Sequence, residues 1–559
     1  MRIFAFLVLI AAIVTVVVLL IPGGPPATPG NGPLPPPRGD ELRLLFTYGS
    51  EKEAWLKEAT ASFNAKAELV DGKRITVEAL PMGSGECIDE VLDGSRQPHL
   101  ISPASGVFLA LGNARSQAAS GKDLIGASEN LVLSPVVIAM WKPMAEALGW
   151  PAKPIGWGDV LALAREPQGW AAKGHAEWGR FRFGHTHPES SNSGLIALLA
   201  QGYAATGKTS GLTSADLATP EVAAYVGGIQ RAIVHYGKST GFFANRLASA
   251  GPGYLSAAVV YESNVIESYA RADNTFPPLV AIYPKEGTFW SDHPVGVVER
   301  PWVTPAHRTA ARRYIDFLLA QPQQEAALRM GFRPAAVNLA VAAPIDAAHG
   351  VDPKQPTTTL PVPGAGVCDA ALRLWRANKK RSEICLVLDT SGSMSEEGKM
   401  PAARTGAQAL VGLLGDEDHL SLMPFSSAPN WVARDLVVKD DRAKLQAQIG
   451  GLYPNGGTAL YDAIEAGWTA LKDRAGGERI VAVVVLTDGQ DTNSKLKLDD
   501  LITRIGGPEG GAVRVFAIGY GKGADMQVLK RIADATQGRA YAGDPRTITS
   551  VFKDISTFF

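Results

Sequence analysis

The stretch ICLVLDTSGSMSEEG, Ile384 to Gly398, constrains the architecture more than any other. An apolar run that reads as a buried core strand ends abruptly in three oxygen-bearing side chains two residues apart, Asp389, Ser391 and Ser393. Around it, the strand-like segments HLSLMPF, WVARDLVV, RIVAVVVLTDG and VRVFAIG alternate with helical stretches expected at Met400 to Leu414, Ala459 to Leu471 and Asp525 to Thr536. Alternation with crossovers predicts a doubly wound, Rossmann-like α/β sheet over residues 380–559, whose ligands sit beyond the carboxyl ends of the strands.

Two further residues belong at that edge: Thr458, in GGTAL before a helix, and Asp488, ending VAVVVLTDG. Two carboxylates and three hydroxyls, with no imidazole or thiolate, are hard donors. They suit Mg²⁺, or another divalent cation such as Mn²⁺ or Ca²⁺, rather than Zn²⁺. Two carboxylates leave such an ion poorly neutralised, so a carboxylate supplied by a protein partner can take its open position. At Asp389-Thr390-Ser391-Gly392-Ser393, Thr458 and Asp488 the sequence resembles the von Willebrand factor A family, whose metal-ion-dependent adhesion site uses D-x-S-x-S, a loop Thr and a later Asp. The resemblance implies that Ser391, Ser393 and Thr458 touch the metal, with Asp389 and Asp488 orienting them through water.

The 559 residues exceed one hydrophobic core, so further domains are expected. Residues 40–334 also alternate short strands with amphipathic helices: LRLLFTYG, a helix from Ser50 to Asn64, ITVEALPM, a helix after Gly85, and a late helix in RRYIDFLLAQPQQEAALRMGF. Three Ser- and Gly-rich loops lead into helices: Gly49-Ser50, Gly83-Ser84-Gly85 and Ser190-Ser191-Asn192-Ser193. Free N–H groups at helix starts attract anions, although Ser and Asn also simply cap helices. With Tyr261 and Glu262 after SAAVV, these loops define a candidate cleft of Ser50, Ser84, Ser191, Asn192, Ser193, Tyr261 and Glu262; Glu262 argues against a purely anionic solute. Segments such as TYGSEKEAWLKEATASFN, THPESSNSGLIALLA and YPKEGTFWSDHPVGVV make this part similar to bacterial extracellular solute-binding proteins, two α/β lobes around a cleft (the type II periplasmic-binding-protein form).

Ile3 to Ile21 is uninterruptedly apolar behind Arg2, long enough to span a membrane, and no A-x-A-like cleavage site follows. An uncleaved single-pass anchor is expected, with the amino terminus cytoplasmic and the bulk extracytoplasmic. Residues 22–39 are mostly Pro and Gly and predict an extended stalk. Residues 335–379 read as a Pro-rich, weakly structured linker followed by a short helix. A net charge of −1 without a long basic run speaks against nucleic acid. Three cysteines, Cys87, Cys368 and Cys385, leave at least one unpaired within the chain.

Other apparent motifs carry less. GYAATGKT (Gly202 to Thr209) matches a P-loop expression but follows a helical stretch, so a loop between helices is expected. GYGKGA (Gly519 to Ala524) lacks the βαβ context of a dinucleotide fingerprint. HTHPE (His185 to Glu189) reads as a solvated loop. No G-x-S-x-G elbow surrounds Ser391 or Ser393. The leading expectation is a non-enzymatic, membrane-anchored binding protein: a metal-dependent C-terminal domain engages a protein partner, and the two-lobed domain binds a small solute or serves as a scaffold. A solute receptor for an ABC-type transporter is the alternative, and a hydrolase the third reading. The combination resembles bacterial envelope proteins carrying both a substrate-binding and a von Willebrand A domain.

Overall fold

The computed structural model describes residues 39–270, 275–335, 338–474, 477, 479–506 and 513–559. The apolar segment 3–21, and all of the Pro/Gly stretch but Gly39, lie outside the described residues. Among the described residues no helix is long and apolar enough to cross a membrane.

Three sheets organise the chain. The first lobe's sheet runs in the order Leu69–Val70, Lys73–Met82, Glu41–Gly49, Leu100–Ser102, Pro294–Val298, Ile125–Asn130. The second lobe's runs Leu279–Ile282, Val132–Trp141, Ala257–Tyr261, Phe183–Thr186, Ile233–Gly237. The chain passes between the lobes three times, at Leu131, at Asp292-His293 and again at Phe332-Arg333, where Arg333–Pro334 pairs with the start of Val132–Trp141; at the first two crossings Leu131 N–H donates to the His293 carbonyl (3.1 Å). The third sheet runs Ala433–Val437, His419–Phe425, Arg381–Asp389, Arg479–Thr487, Val513–Tyr520, Arg539–Gly543, all parallel except the first, an antiparallel edge strand.

Residues of Arg381–Asp389 alternate between two cores, as successive side chains in a strand must. Cys385 and Val387 pack with Leu460, Ile464 and Leu501, whereas Ile384, Leu386 and Leu388 lie in the cluster holding Met400, Ala403 and Leu410. Both faces are covered, which is what an unbroken apolar strand requires. The second cluster continues through the helix Ala365–Asn378 into the second lobe, so lobe and third sheet share one apolar core.

Several expectations are corrected. The late helix is two, Pro305–Leu319 and Gln321–Arg329, parted at Ala320, whose extended ψ of 146° is what the i→i−4 ladder does not tolerate. The Pro-rich connection has almost no regular structure but is packed rather than loose: Ile345, Val351 and Leu360 are buried, and Leu360 N–H donates to the Thr288 carbonyl (2.8 Å). The HTHPE stretch is only partly solvated: His187 and Glu189 are half-buried and the other three residues are buried. His185 is buried, with Nδ1 at 2.7 Å from the Thr186 carbonyl and Nε2 at 3.2 Å from Gln230, and the His187 ring packs edge-on against Trp375. Burial pushes the two imidazoles down to about 4 and about 3. In the P-loop-like stretch the helix Asn192–Thr206 runs through Gly202 and closes on Gly207, and Lys208 pairs with Asp216 (2.6 Å). All three cysteines are buried thiols without a disulfide.

Candidate metal centre and interlobe cleft

Parallel pairing sets Leu388 beside Leu486, so Asp389 and the Thr487-Asp488 pair leave the sheet at the same level. Asp389 is buried and turned inward: one carboxylate oxygen accepts from Ser391 N–H (2.7 Å), the other from the Thr487 hydroxyl (2.6 Å). Burial pushes its carboxyl above the usual range, against the pull of the Ser391 and Thr487 hydrogen bonds. Ser391 Oγ and Ser393 Oγ lie 3.1 Å apart, and Ser393 Oγ donates to Asp488 Oδ1 (2.7 Å). Backbone bonds bring in the Thr458 loop: Gly392 N–H donates to the Gly456 carbonyl (3.0 Å), Asn455 N–H to the Thr390 carbonyl (2.6 Å), and Thr492 N–H to the Thr458 carbonyl (2.9 Å). The Thr458 hydroxyl faces the Asp488-Gly489 turn; a Cβ on Gly489 would stand 3.9 Å from it.

The loops carrying all five candidate residues are therefore knitted together at one sheet edge. Among the described residues no group of three or more His, Cys, Asp or Glu side chains is placed to share an ion. This centre has only two carboxylates, and its fit to a hard divalent cation rests on the convergent hydroxyls. Lys399 was not foreseen. Its ammonium donates to Asp488 Oδ2 (2.8 Å) and reaches the Ser393 carbonyl (3.5 Å). The signal was present in the sequence, because Lys399 falls in helical phase with the buried Ala403, Gly406 and Leu410.

The cleft residues meet one another rather than an open space. Ser50 Oγ, from the first lobe, donates to Ser239 Oγ (2.7 Å) and accepts from Gly241 N–H (3.0 Å) in the second. Gly85 N–H donates to the Ser190 carbonyl (2.9 Å). The lobes touch backbone to backbone here: a Cβ on Gly85 would lie 2.1 Å from the Glu189 carbonyl oxygen, and one on Gly241 2.5 Å from that of Ser50. Ser84 Oγ accepts from Ala104 N–H within its own lobe (2.9 Å). Ser191 Oγ and Ser193 Oγ meet Thr240 Oγ1, at 3.2 and 2.9 Å. Asn192 Nδ2 donates to Tyr261 OH and Ser291 Oγ, both at 3.0 Å. Glu262 stands apart, held by Arg333 through both carboxylate oxygens (2.8 and 2.7 Å).

Beside this cluster Glu51, Lys52 and His293 form a buried triad: Lys52 Nζ lies 2.6 Å from Glu51 Oε1 and 3.3 Å from His293 Nδ1. Asn192 Oδ1 and His293 Nε2 are buried and have no partner among the described residues.

Residues 44–333 match the family model of bacterial extracellular solute-binding proteins, more than half of the chain. The chain belongs to that family. Residues 383–553 match the von Willebrand factor type A domain, so this solute-binding protein carries a C-terminal A-type domain. An uncharacterized protein of Mycobacterium tuberculosis strain H37Rv is 24% identical over 529 residues, 86% of this chain and 71% of the relative. Calcium-activated chloride channel regulator 3A-1 of Mus musculus is 27% identical over 184 residues, 32% of this chain and 19% of the relative. Among solved structures, a periplasmic thiamin binding protein aligns over 63% of this chain and 100% of its own (14% identity, TM-score 0.45). A von Willebrand factor type A protein from Catenulispora acidiphila aligns over 32% of this chain and 42% of its own (24% identity, TM-score 0.29).

Proposed function

We propose that this protein is a binding or adhesion protein whose A-type domain engages a protein partner through a divalent cation, held outside the cell membrane by the apolar segment 3–21. The carrying observation is the convergence of Ser391, Ser393 and Asp488, with the buried Asp389 fixing the loop behind them. Ser391, Ser393 and Thr458 would hold the ion, as the family resemblance implies, and Asp389 and Asp488 would orient them. A hard dication, Mg²⁺ first among them, supplies a positive centre that a partner's carboxylate can complete. The arrangement supports binding rather than hydrolysis: the two serine hydroxyls bond each other and Asp488, and among the described residues no imidazole is hydrogen-bonded to either to serve as base.

Millimolar Mg²⁺ or Mn²⁺ is expected to raise the melting temperature of the wild-type protein, by mass action on the native state, and to leave that of Asp389→Ala unchanged. Envelope proteins captured by the wild type with metal should be missing from the Asp389→Ala capture. Equal metal binding and the same captured partners in both would end this reading. A second expectation concerns Lys399, whose ammonium competes with a metal for Asp488. Removing a like charge a few ångströms from a dication removes more than about 1.4 kcal/mol of repulsion at an effective dielectric of about 20. Lys399→Met should therefore bind Mn²⁺ at least about tenfold more tightly than wild type by calorimetry, and unchanged or weaker affinity contradicts the geometry.

The transporter-receptor reading is favoured by one observation, the unpartnered Asn192 Oδ1 and His293 Nε2 in the closed cleft, since buried polar atoms are rarely left alone. With the lobes parted, these two atoms would be available to a small polar solute. A metabolite screen on the whole protein checks it: a compound that raises the melting temperature of wild type but not of Asn192→Leu supports it.

A further inference from the structure

The second lobe and the A-type domain meet around a cavity of about 630 Å³ that belongs neither to the interlobe cleft nor to the metal centre. That volume lies within the range of small-molecule sites. Its apolar wall includes Phe243, Phe516 and Phe558; the first two are buried, and Phe558 packs against His235 of the lobe (5.5 Å between ring centroids).

Its charged wall is one-sided. Arg246 from the lobe and Arg514 from the strand Val513–Tyr520 both face the Tyr254 ring, at 5.7 and 5.3 Å. Arg514 is only 4% exposed, yet neither guanidinium has a carboxylate partner among the described residues. A third, Arg182, is near enough to repel Arg514, and its Nε is buried without a partner. Lys530 and Arg539 also line the cavity, against one exposed carboxylate, Asp534; Lys238 is committed to Glu86 (3.2 Å) and Asp554 (2.8 Å). His235 adds no negative charge: it accepts from the Tyr254 hydroxyl, and burial followed by the Arg514 charge keeps its imidazole far below its ordinary range. Burial pushes the Arg514 guanidinium down as well. Buried cations are ordinarily paired, so a cluster of guanidiniums beside an apolar cavity is a charge pattern awaiting its complement.

We propose that this cavity is a binding site for a small organic anion, whose charged head meets Arg246 and Arg514 and whose apolar body lies against Phe243, Phe516 and Phe558. Such a ligand touches lobe and A-type domain at once and binds at the joint between them. Guanidinium forks suit carboxylate, sulfonate and phosphate heads alike.

The test uses the full-length protein and two probes sharing one ring system, 8-anilinonaphthalene-1-sulfonate and the uncharged N-phenyl-1-naphthylamine. The sulfonate is expected to saturate at one site per chain and to bind Arg246→Gln and Arg514→Gln about tenfold or more weakly, as the loss of a charge-assisted contact requires. The uncharged probe should bind all three proteins weakly and alike. Partial unfolding raises dye fluorescence rather than lowering it, so lost binding is not a folding artefact. Should Arg514→Gln fail to fold, Arg246→Gln decides alone. Octanoate and phenyl phosphate, added as competitors, separate a carboxylate from a phosphate ligand. Displacement by neither, unchanged sulfonate affinity in Arg246→Gln, or equal affinity of wild type for both probes would overturn the proposal.

Discussion

Glu51→Gln is expected to cost the protein about 3–5 kcal/mol, the penalty for leaving one member of a buried ion pair without its counter-charge. The partner left behind is Lys52, whose side chain has 0% exposure and whose ammonium has Glu51 at 2.6 Å. Glutamine keeps the shape and removes the charge, so the loss reports electrostatics rather than packing. Set against a typical domain stability of about 5–15 kcal/mol, it is a large fraction. The pH dependence gives an independent check. Burial alone would raise the Glu51 carboxyl, but Lys52 and His293 outweigh it and hold it at about 2 against an ordinary 4.5. A depressed carboxyl contributes stability that is present above pH 4.5 and lost as pH falls toward 2, here about 3 kcal/mol. The gap between wild type and Glu51→Gln in urea unfolding should therefore be full at pH 7 and shrink below pH 4.5. A gap that is small at pH 7, or unchanged at pH 3, contradicts the triad's assigned role.

The candidate metal centre was legible in the sequence because most of its parts are local. Asp389, Ser391 and Ser393 share one turn, and a strand's end fixes where that turn points. Asp488 needed only the inference that the strands are parallel, since then their carboxyl ends fall on one edge, whereas Thr458, in the loop between the helices Val438–Gly450 and Leu460–Leu471, was placed by the loop-Thr pattern of the family it resembles. The cleft was not legible in the same way. A Ser-Gly helix start offers the same N–H groups and hydroxyls to a solute or to an opposing helix start, and only the distance between lobes decides which. That distance depends on contacts far apart in sequence, among them Lys238 joining Glu86 of the first lobe to Asp554 of the A-type domain. HTHPE misled for a related reason: a short polar stretch after a strand looks solvated until a helix almost two hundred residues later is laid across it.

That helix, Ala365–Asn378, carries the second large expectation. Trp375 is buried between His187 (4.7 Å) and Tyr236 (5.3 Å), and its helix touches Asn192–Thr206 and Pro220–Gln230 of the second lobe and Gly106–Ser120 of the first. Four residues on, Lys379 bonds the Phe559 carbonyl (2.8 Å) and pairs with Asp418 (3.4 Å), tying the helix to the third sheet. Trp375→Ala should cost about 3–5 kcal/mol, the lost transfer energy of the indole plus the cavity it leaves. His187 distinguishes this site from any other buried tryptophan. In the wild type burial holds its imidazole at about 3, whereas the unfolded chain takes up the proton near 6.5. The unfolded state thus binds more protons below pH 6.5, and wild-type stability falls with pH through that window, by about 2 kcal/mol at pH 5 from this group. Opening the Trp375 cavity admits water to His187 and returns its titration toward 6.5, which removes that loss from the variant. The stability gap between wild type and Trp375→Ala should consequently be larger at pH 7.5 than at pH 5. The same gap at both would mean that the imidazole stays dry without the indole, and that the helix is held in place by its other contacts.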